Sequence, residues 1–129
     1  MASTRPRLTA VLVPALLLAL LAALVRPAAG SARSAAKPQS CNIASVAHAL
    51  GPTTVSSLRV TNVACPKGIA IVKAFHKCRT SHGKAGHCVQ LVQGYACQEQ
   101  RQNFPTEIEG SVVCKKGTAV VSHKYVQTL

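Results

Sequence analysis

The sequence predicts a small α+β domain stabilised by disulfides, in which one main helix packs on an antiparallel β-meander. Three observations predict it: six cysteines in a short basic chain, an amphipathic stretch opening at Pro66, and three strand candidates after it, the last two joined at Lys116-Gly117. A single helix and a meander each have one apolar side, and packing them together buries both.

The first thirty residues stand apart. Arg5 and Arg7 precede an uncharged run from Leu8 to Val25, followed by Pro27-Ala28-Ala29-Gly30-Ser31-Ala32. A basic start, an apolar middle and a small-residue exit make a secretory signal peptide. The run of 18 residues lies near the lower limit for spanning a bilayer, and the positive flank and small-residue exit select the signal over an uncleaved anchor. Cleavage after Gly30, Ala32 or Ala36 fits. Pro6 separates the two arginines, and Cys41 lacks the apolar lead-in of a lipid-attachment cysteine. The expected organisation is a signal peptide over 1–30, a flexible leader over 31–40 and a disulfide-rich domain over 41–129. The destination is secreted, with no stable membrane span after cleavage.

Cutting after Gly30 leaves 99 of 129 residues, one domain with a limited core. Cys41, Cys65, Cys78, Cys88, Cys97 and Cys114 all lie in it, and an even count in a small exported chain reads as a disulfide framework. Each bridge adds roughly 2–4 kcal/mol by restricting the unfolded chain. Six cysteines permit 15 pairings; the short separation favours Cys78 with Cys88 as a local bridge. The mature part has no Trp and only Phe75, Phe104, Tyr95 and Tyr125 as aromatics, so its core relies on Val, Ile, Leu and Ala. Twelve basic residues face only Glu99, Glu107 and Glu109, a net charge of about +9, which attracts polyanions in general.

Along the chain, Ser40 reads as the cap of a short helix over Cys41–Leu50, stopped by Gly51-Pro52. Leu58–Val63 reads as a strand leading into Cys65. The clearest element follows: Pro66 sits where a first helical residue tolerates a missing amide, and Ile69, Ile71, Val72, Phe75 and Cys78 cover one side. Lys73 and Lys77 fall on the opposite side, where a solvated face is the simplest reading. Arg79–His87 reads as a polar loop. Gln93–Gln98, Gly110–Lys115 and Thr118–Tyr125 are the three strand candidates, with glycine at the hairpin where a positive φ is needed.

His76, Cys78, His82, His87 and Cys88 crowd together, and imidazole and thiolate bind zinc. An oxidising destination and the lack of a Cys-x-x-Cys pair favour a bridged loop with exposed histidines, so no metal or cofactor is expected. Glu107 or Glu109 with His123 are residue types for an acid–base pair, as in a nuclease, although their spacing does not demand it. No Gly-x-Ser-x-Gly elbow is present and each cysteine has a use in a bridge, so no catalytic residue is assigned. Four dispersed aromatics make no stacking platform, and Gly83-Lys84-Ala85-Gly86 lacks the frame of a phosphate loop, so no specific nucleic acid is expected.

Several short motifs occur in order: Val63-Ala64-Cys65-Pro66-Lys67-Gly68-Ile69-Ala70, Gly94-Tyr95-Ala96-Cys97 before Arg101, Val113-Cys114-Lys115-Lys116-Gly117, and Val120-Val121-Ser122-His123-Lys124-Tyr125. Over about Leu58–Gln127 the chain resembles the small secreted cysteine-containing proteins common in actinobacteria. The resemblance implies a helix with a β-meander and an extracellular location, and it transfers no catalytic residue. The loop between Cys78 and Cys88 departs from the shortest members.

The leading expectation is a secreted, basic, non-enzymatic binding or structural module. Its anionic partner, an envelope polymer or an acidic protein, would meet Lys73, Lys77, Lys84, Lys115 and Lys116. A second class is an inhibitor or antimicrobial effector presenting the Cys78–Cys88 loop. A third is a basic secreted hydrolase such as a nuclease.

Overall fold

The computed structural model describes residues 36–129; the stretch read as a signal peptide, and the expected leader as far as residue 35, lie outside the described residues. Five strands and one helix follow in the order β1 (Gln39–Ser40), β2 (Thr53–Thr61), α1 (Cys65–Thr80), β3 (Ala96–Asn103), β4 (Glu107–Lys116) and β5 (Ala119–Thr128). The strands form one antiparallel sheet ordered β1-β2-β5-β4-β3. The domain is therefore the expected α+β arrangement, one helix on a β-meander, with β2 added beside β5.

Alternation along the strands sorts their side chains. On β5, Val121, His123, Tyr125 and Gln127 are buried, whereas Val120, Ser122, Lys124 and Val126 point the other way. The inward side meets α1 in a core of residues such as Leu58, Ile71, Val72, Phe75, Ile108 and Val121. The outward side of the sheet is uncovered by any other described element. At the β4–β5 hairpin Lys116 pairs with Ala119 across Gly117-Thr118, and Gly117 has φ 57°. Glycine takes that left-handed conformation without the steric cost of a side chain.

Ala64 is extended before α1, and Pro66 fills the first turn as expected, while no side chain caps the helix start. The exit is capped instead. Ser81 Oγ donates to the Cys78 carbonyl at 2.7 Å, satisfying an acceptor that the last turn leaves without a helical partner, and Thr80 Oγ1 bonds back to the His76 carbonyl at 2.7 Å.

All six cysteines are bridged: Cys41 to Cys65, Cys78 to Cys88, and Cys97 to Cys114. The first joins the chain after β1 to the start of α1. The second ties the last turn of α1 to the following loop, as its spacing predicts. The third crosses directly between paired residues of β3 and β4.

Four local expectations are corrected. Cys41–Leu50 is a series of turns rather than a helix. Ser40 is spent in β1, the Cys41 N–H bonds the Leu58 carbonyl, the Asn42 side chain accepts the Ala44 N–H, and the Ala47 carbonyl takes the Val55 N–H; these partners compete with helical bonds. The leader's last two residues, Gln39 and Ser40, belong to the sheet. Strand β2 begins at Thr53, five residues before the expected start, and ends at Thr61. Gln93 is not in a strand: with φ 51°, next to Gly94 at 82°, it makes a tight turn between Val92 and Tyr95, and β3 starts at Ala96.

Candidate functional site

The five lysines expected to meet an anionic partner are all exposed and stand on different elements. Lys73 and Lys77 are exposed on the helix and border a small groove with Leu50, His76 and Thr80. Lys84 lies in the loop after α1. Lys115 points to the open side of the sheet, and Lys116 sits at the hairpin end with its ammonium 5.9 Å from the centre of the Tyr95 ring. Arg59 and Lys124 also stand on the open side, where a groove of about 560 Å³ is lined by Gln100, Gln102, Glu109, Ser111 and Lys124 among others. Counting Lys37 and Lys67, nine lysines and arginines are exposed, and none is ion-paired among the described residues.

The arginine that sequence reasoning placed in a polar loop is the centre of the interior. Arg79 is helical and fully buried, with 0% of its surface exposed. Its Nε donates to His76 Nδ1 across 3.4 Å, Nη1 to the Lys84 carbonyl at 3.2 Å, and Nη2 to Thr53 Oγ1 at 3.1 Å and Gln127 Oε1 at 2.7 Å. Its guanidinium carbon lies 4.8 Å from the centre of the Tyr125 ring. No carboxylate touches it among the described residues. Neutral oxygens and the negative face of an aromatic ring take the place of a counter-ion. Burial lowers its pKa from the ordinary arginine value.

An internal carboxylate lies one side chain further on. Tyr125 donates its hydroxyl proton to Glu99 Oε1, and His87 Nδ1 is 2.9 Å from Glu99 Oε2. Tyr125 reaches β3 because Gly110 lies between them: a Cβ there would collide with the Tyr125 ring. Burial, then the bond to Glu99, pushes the Tyr125 phenol up to about 12. Arg101, 3.7 Å from Glu99, donates to the carbonyls of Gly86 at 3.1 Å and Ala85 at 2.7 Å and to His87 Nε2. Together Arg79 and Arg101 thus take three successive carbonyls, those of Lys84, Ala85 and Gly86. The loop expected to be presented to a target is held to the domain through its own backbone carbonyls.

His76 and His123 face each other through Nε2 atoms 3.0 Å apart, each ring 2% exposed. Because Arg79 can only donate, His76 Nδ1 accepts and His76 Nε2 carries the proton, which goes to His123 Nε2. That assignment leaves the His123 proton on Nδ1, a buried atom with no partner among the described residues. Burial, then His123 and Arg79, lowers the His76 pKa far below the ordinary imidazole range; burial, then Arg79, brings His123 down to about 4. Both rings are neutral at physiological pH. Both His76 nitrogens are engaged, so neither can take a proton from a substrate at the groove beside Lys73 and Lys77.

The acid–base pair drawn from sequence does not form. His123 points to the core, while Glu107 and Glu109 stand at alternate positions of β4 that point outward. Among the described residues no group of three or more His, Cys, Asp or Glu is placed to hold a metal ion, and no helix is long and apolar enough to cross a membrane.

Sequence reasoning overlooked Arg79, His76, His123 and Gln127 as interior residues, although periodicity marks them. Arg79 stands four residues after Phe75 and seven after Val72, on the apolar stripe of the helix. His123 and Gln127 alternate with Val121 and Tyr125 along β5. The remaining unexpected feature lies just beyond the clamped loop, where Val89 and Leu91 are 89% and 66% exposed. No protein-family model, curated protein or solved structure matches this chain.

Proposed function

We propose that the protein is an exported, non-enzymatic binding module that holds an anionic polymer of the cell envelope. The observation that carries this reading is the separation of charge. Arg79, Arg101 and Glu99 are drawn into the interior, while the nine exposed lysines and arginines have no carboxylate partners among the described residues. Their scatter over the helix, the open side of the sheet and the hairpin end suits a flexible polymer better than a rigid epitope, because a flexible chain can meet separate charges in succession. Three bridges hold that surface in place and are compatible with an oxidising destination. The engagement of both His76 nitrogens and the separation of His123 from Glu109 support binding rather than hydrolysis.

The test is affinity for an immobilised polyphosphate or poly-glutamate at increasing salt. Binding through several released counter-ions gives a linear fall of log affinity with log salt. The double changes Lys73→Glu with Lys77→Glu, and Arg59→Glu with Lys124→Glu, should each weaken binding without altering the fold. Equal binding to a neutral polymer, or an affinity indifferent to salt, overturns the reading. Preferential salt-sensitive capture of an acidic protein over either polymer would replace the polymer with a protein partner.

A further inference from the structure

We propose that Cys88–Leu91 is a protein-docking tip that enters the substrate cleft of an endopeptidase preferring aliphatic side chains, and inhibits it. This inference goes beyond polymer binding and uses a different surface.

The tip combines three properties. Its side chains are apolar and outward: Val89 is 89% exposed and Leu91 66%, on either side of a bend at Gln90. Its backbone is unspent: Cys88, Val89, Gln90 and Leu91 make no backbone–backbone hydrogen bond among the described residues. Cys88 Sγ lies 3.8 Å from the Gln90 carbonyl but, being bridged, has no proton to donate. Its ends are held. On one side Cys88 is tied to α1 through Cys78, and Arg101 grips Ala85 and Gly86. On the other, Val92 and Tyr95 are 4% and 5% exposed and exchange two backbone bonds of 2.9 Å around the Gln93-Gly94 turn.

Those properties specify an occupant. Insertion into lipid would place unpaired N–H and C=O groups in a medium with nothing to pair them, which is costly. A peptide-binding cleft offers what the tip lacks: main-chain donors and acceptors for its backbone and apolar pockets for its side chains. An endopeptidase cleft has this chemistry by necessity, since it must read a polypeptide backbone with side-chain selectivity. Anchoring both ends removes most of the ordering cost that a free peptide meets on binding, and keeps the segment in place if the peptide bond is attacked. The exposed cation of Lys84 beside the clamp favours an acidic cleft rim.

Inhibition should be measured with the disulfide-intact protein against an elastase-type enzyme, subtilisin and thermolysin, each hydrolysing a small chromogenic substrate. At least one should show competitive 1:1 inhibition. Val89→Asp and Leu91→Asp should each weaken it roughly 10- to 100-fold, as expected for removing a buried aliphatic anchor, without a change in thermal unfolding because both side chains are exposed. Replacing Cys78 and Cys88 together by serine should convert the tip from inhibitor to substrate, with cleavage between residues 88 and 92. Lys73→Glu with Lys77→Glu should leave inhibition intact while weakening polymer binding, so the two proposals fail separately. The inference is overturned by inhibition of none of the three enzymes, by inhibition insensitive to Val89→Asp and Leu91→Asp, by rapid cutting of the intact tip, or by binding to anionic phospholipid vesicles that those two substitutions abolish.

Discussion

Acid should destabilise this protein through two imidazoles kept neutral in its interior. His76 and His123 are each 2% exposed and lie beside the buried Arg79 guanidinium. In the unfolded chain both return to the ordinary value of 6.5, whereas in the folded chain His123 is brought down to about 4 and His76 lies lower still. The unfolded state therefore binds protons that the native state refuses. Stability is fully present above pH 6.5 and is lost as pH falls toward the folded values. Each histidine contributes up to about 1.4 kcal/mol per pH unit, so the pair gives up to about 2.7 kcal/mol per unit below its unfolded value. For His123 alone the interval from 6.5 to about 4 corresponds to about 3 kcal/mol in total. The assay is urea unfolding followed by far-ultraviolet circular dichroism from pH 7.5 down to about pH 4.5 with the bridges intact. The wild type should lose several kcal/mol over this range, and His123→Phe should show roughly half the slope. An unfolding free energy flat across the range, or a slope unchanged by His123→Phe, would refute the reasoning.

Two substitutions probe the cluster by other routes. Arg79→Met keeps helix propensity and much of the volume but removes the bonds to Thr53, Gln127 and the Lys84 carbonyl. It should cost about 3 kcal/mol in urea unfolding and speed amide exchange at Lys84–His87; a loss under about 0.5 kcal/mol would show that the guanidinium is dispensable. Gly110→Val places a side chain against the Tyr125 ring and should break the Tyr125–Glu99 bond. A loss of about 1–3 kcal/mol is expected, and titration of the Tyr125 phenol should move back toward 10 when followed by ultraviolet absorbance. An unmoved phenol would refute that geometry.

Much of the scaffold is legible in the sequence. Pro66 and the spacing of Ile71, Val72, Phe75 and Cys78 placed α1, and alternating β-rich runs on either side of a glycine placed β4 and β5, because both signals are local. The ten-residue separation of Cys78 and Cys88 sufficed for one bridge. Cys41–Leu50 misled because its helical pattern was outweighed by partners distant in sequence, the Leu58 carbonyl and the Val55 amide. Arg79 was misread for a related reason: charge type argued for a loop, while position on the stripe argued for the core. Position prevailed because Thr53, Gln127 and Lys84, from three other segments, supplied its acceptors.

What the sequence determined by itself was the types of the helix and of the two C-terminal strands, the charge excess and the potential for a covalent framework, all of which follow from local periodicity, composition and cysteine spacing. The tertiary structure alone decided which partners the interior polar groups find and which segment is presented. Both depend on long-range pairing: strand register sets His123 and Tyr125 inward and Glu109 outward, and two interior arginines grip the carbonyls before Cys88. The polar loop is thereby bound down, and the apolar residues after it are left facing solvent.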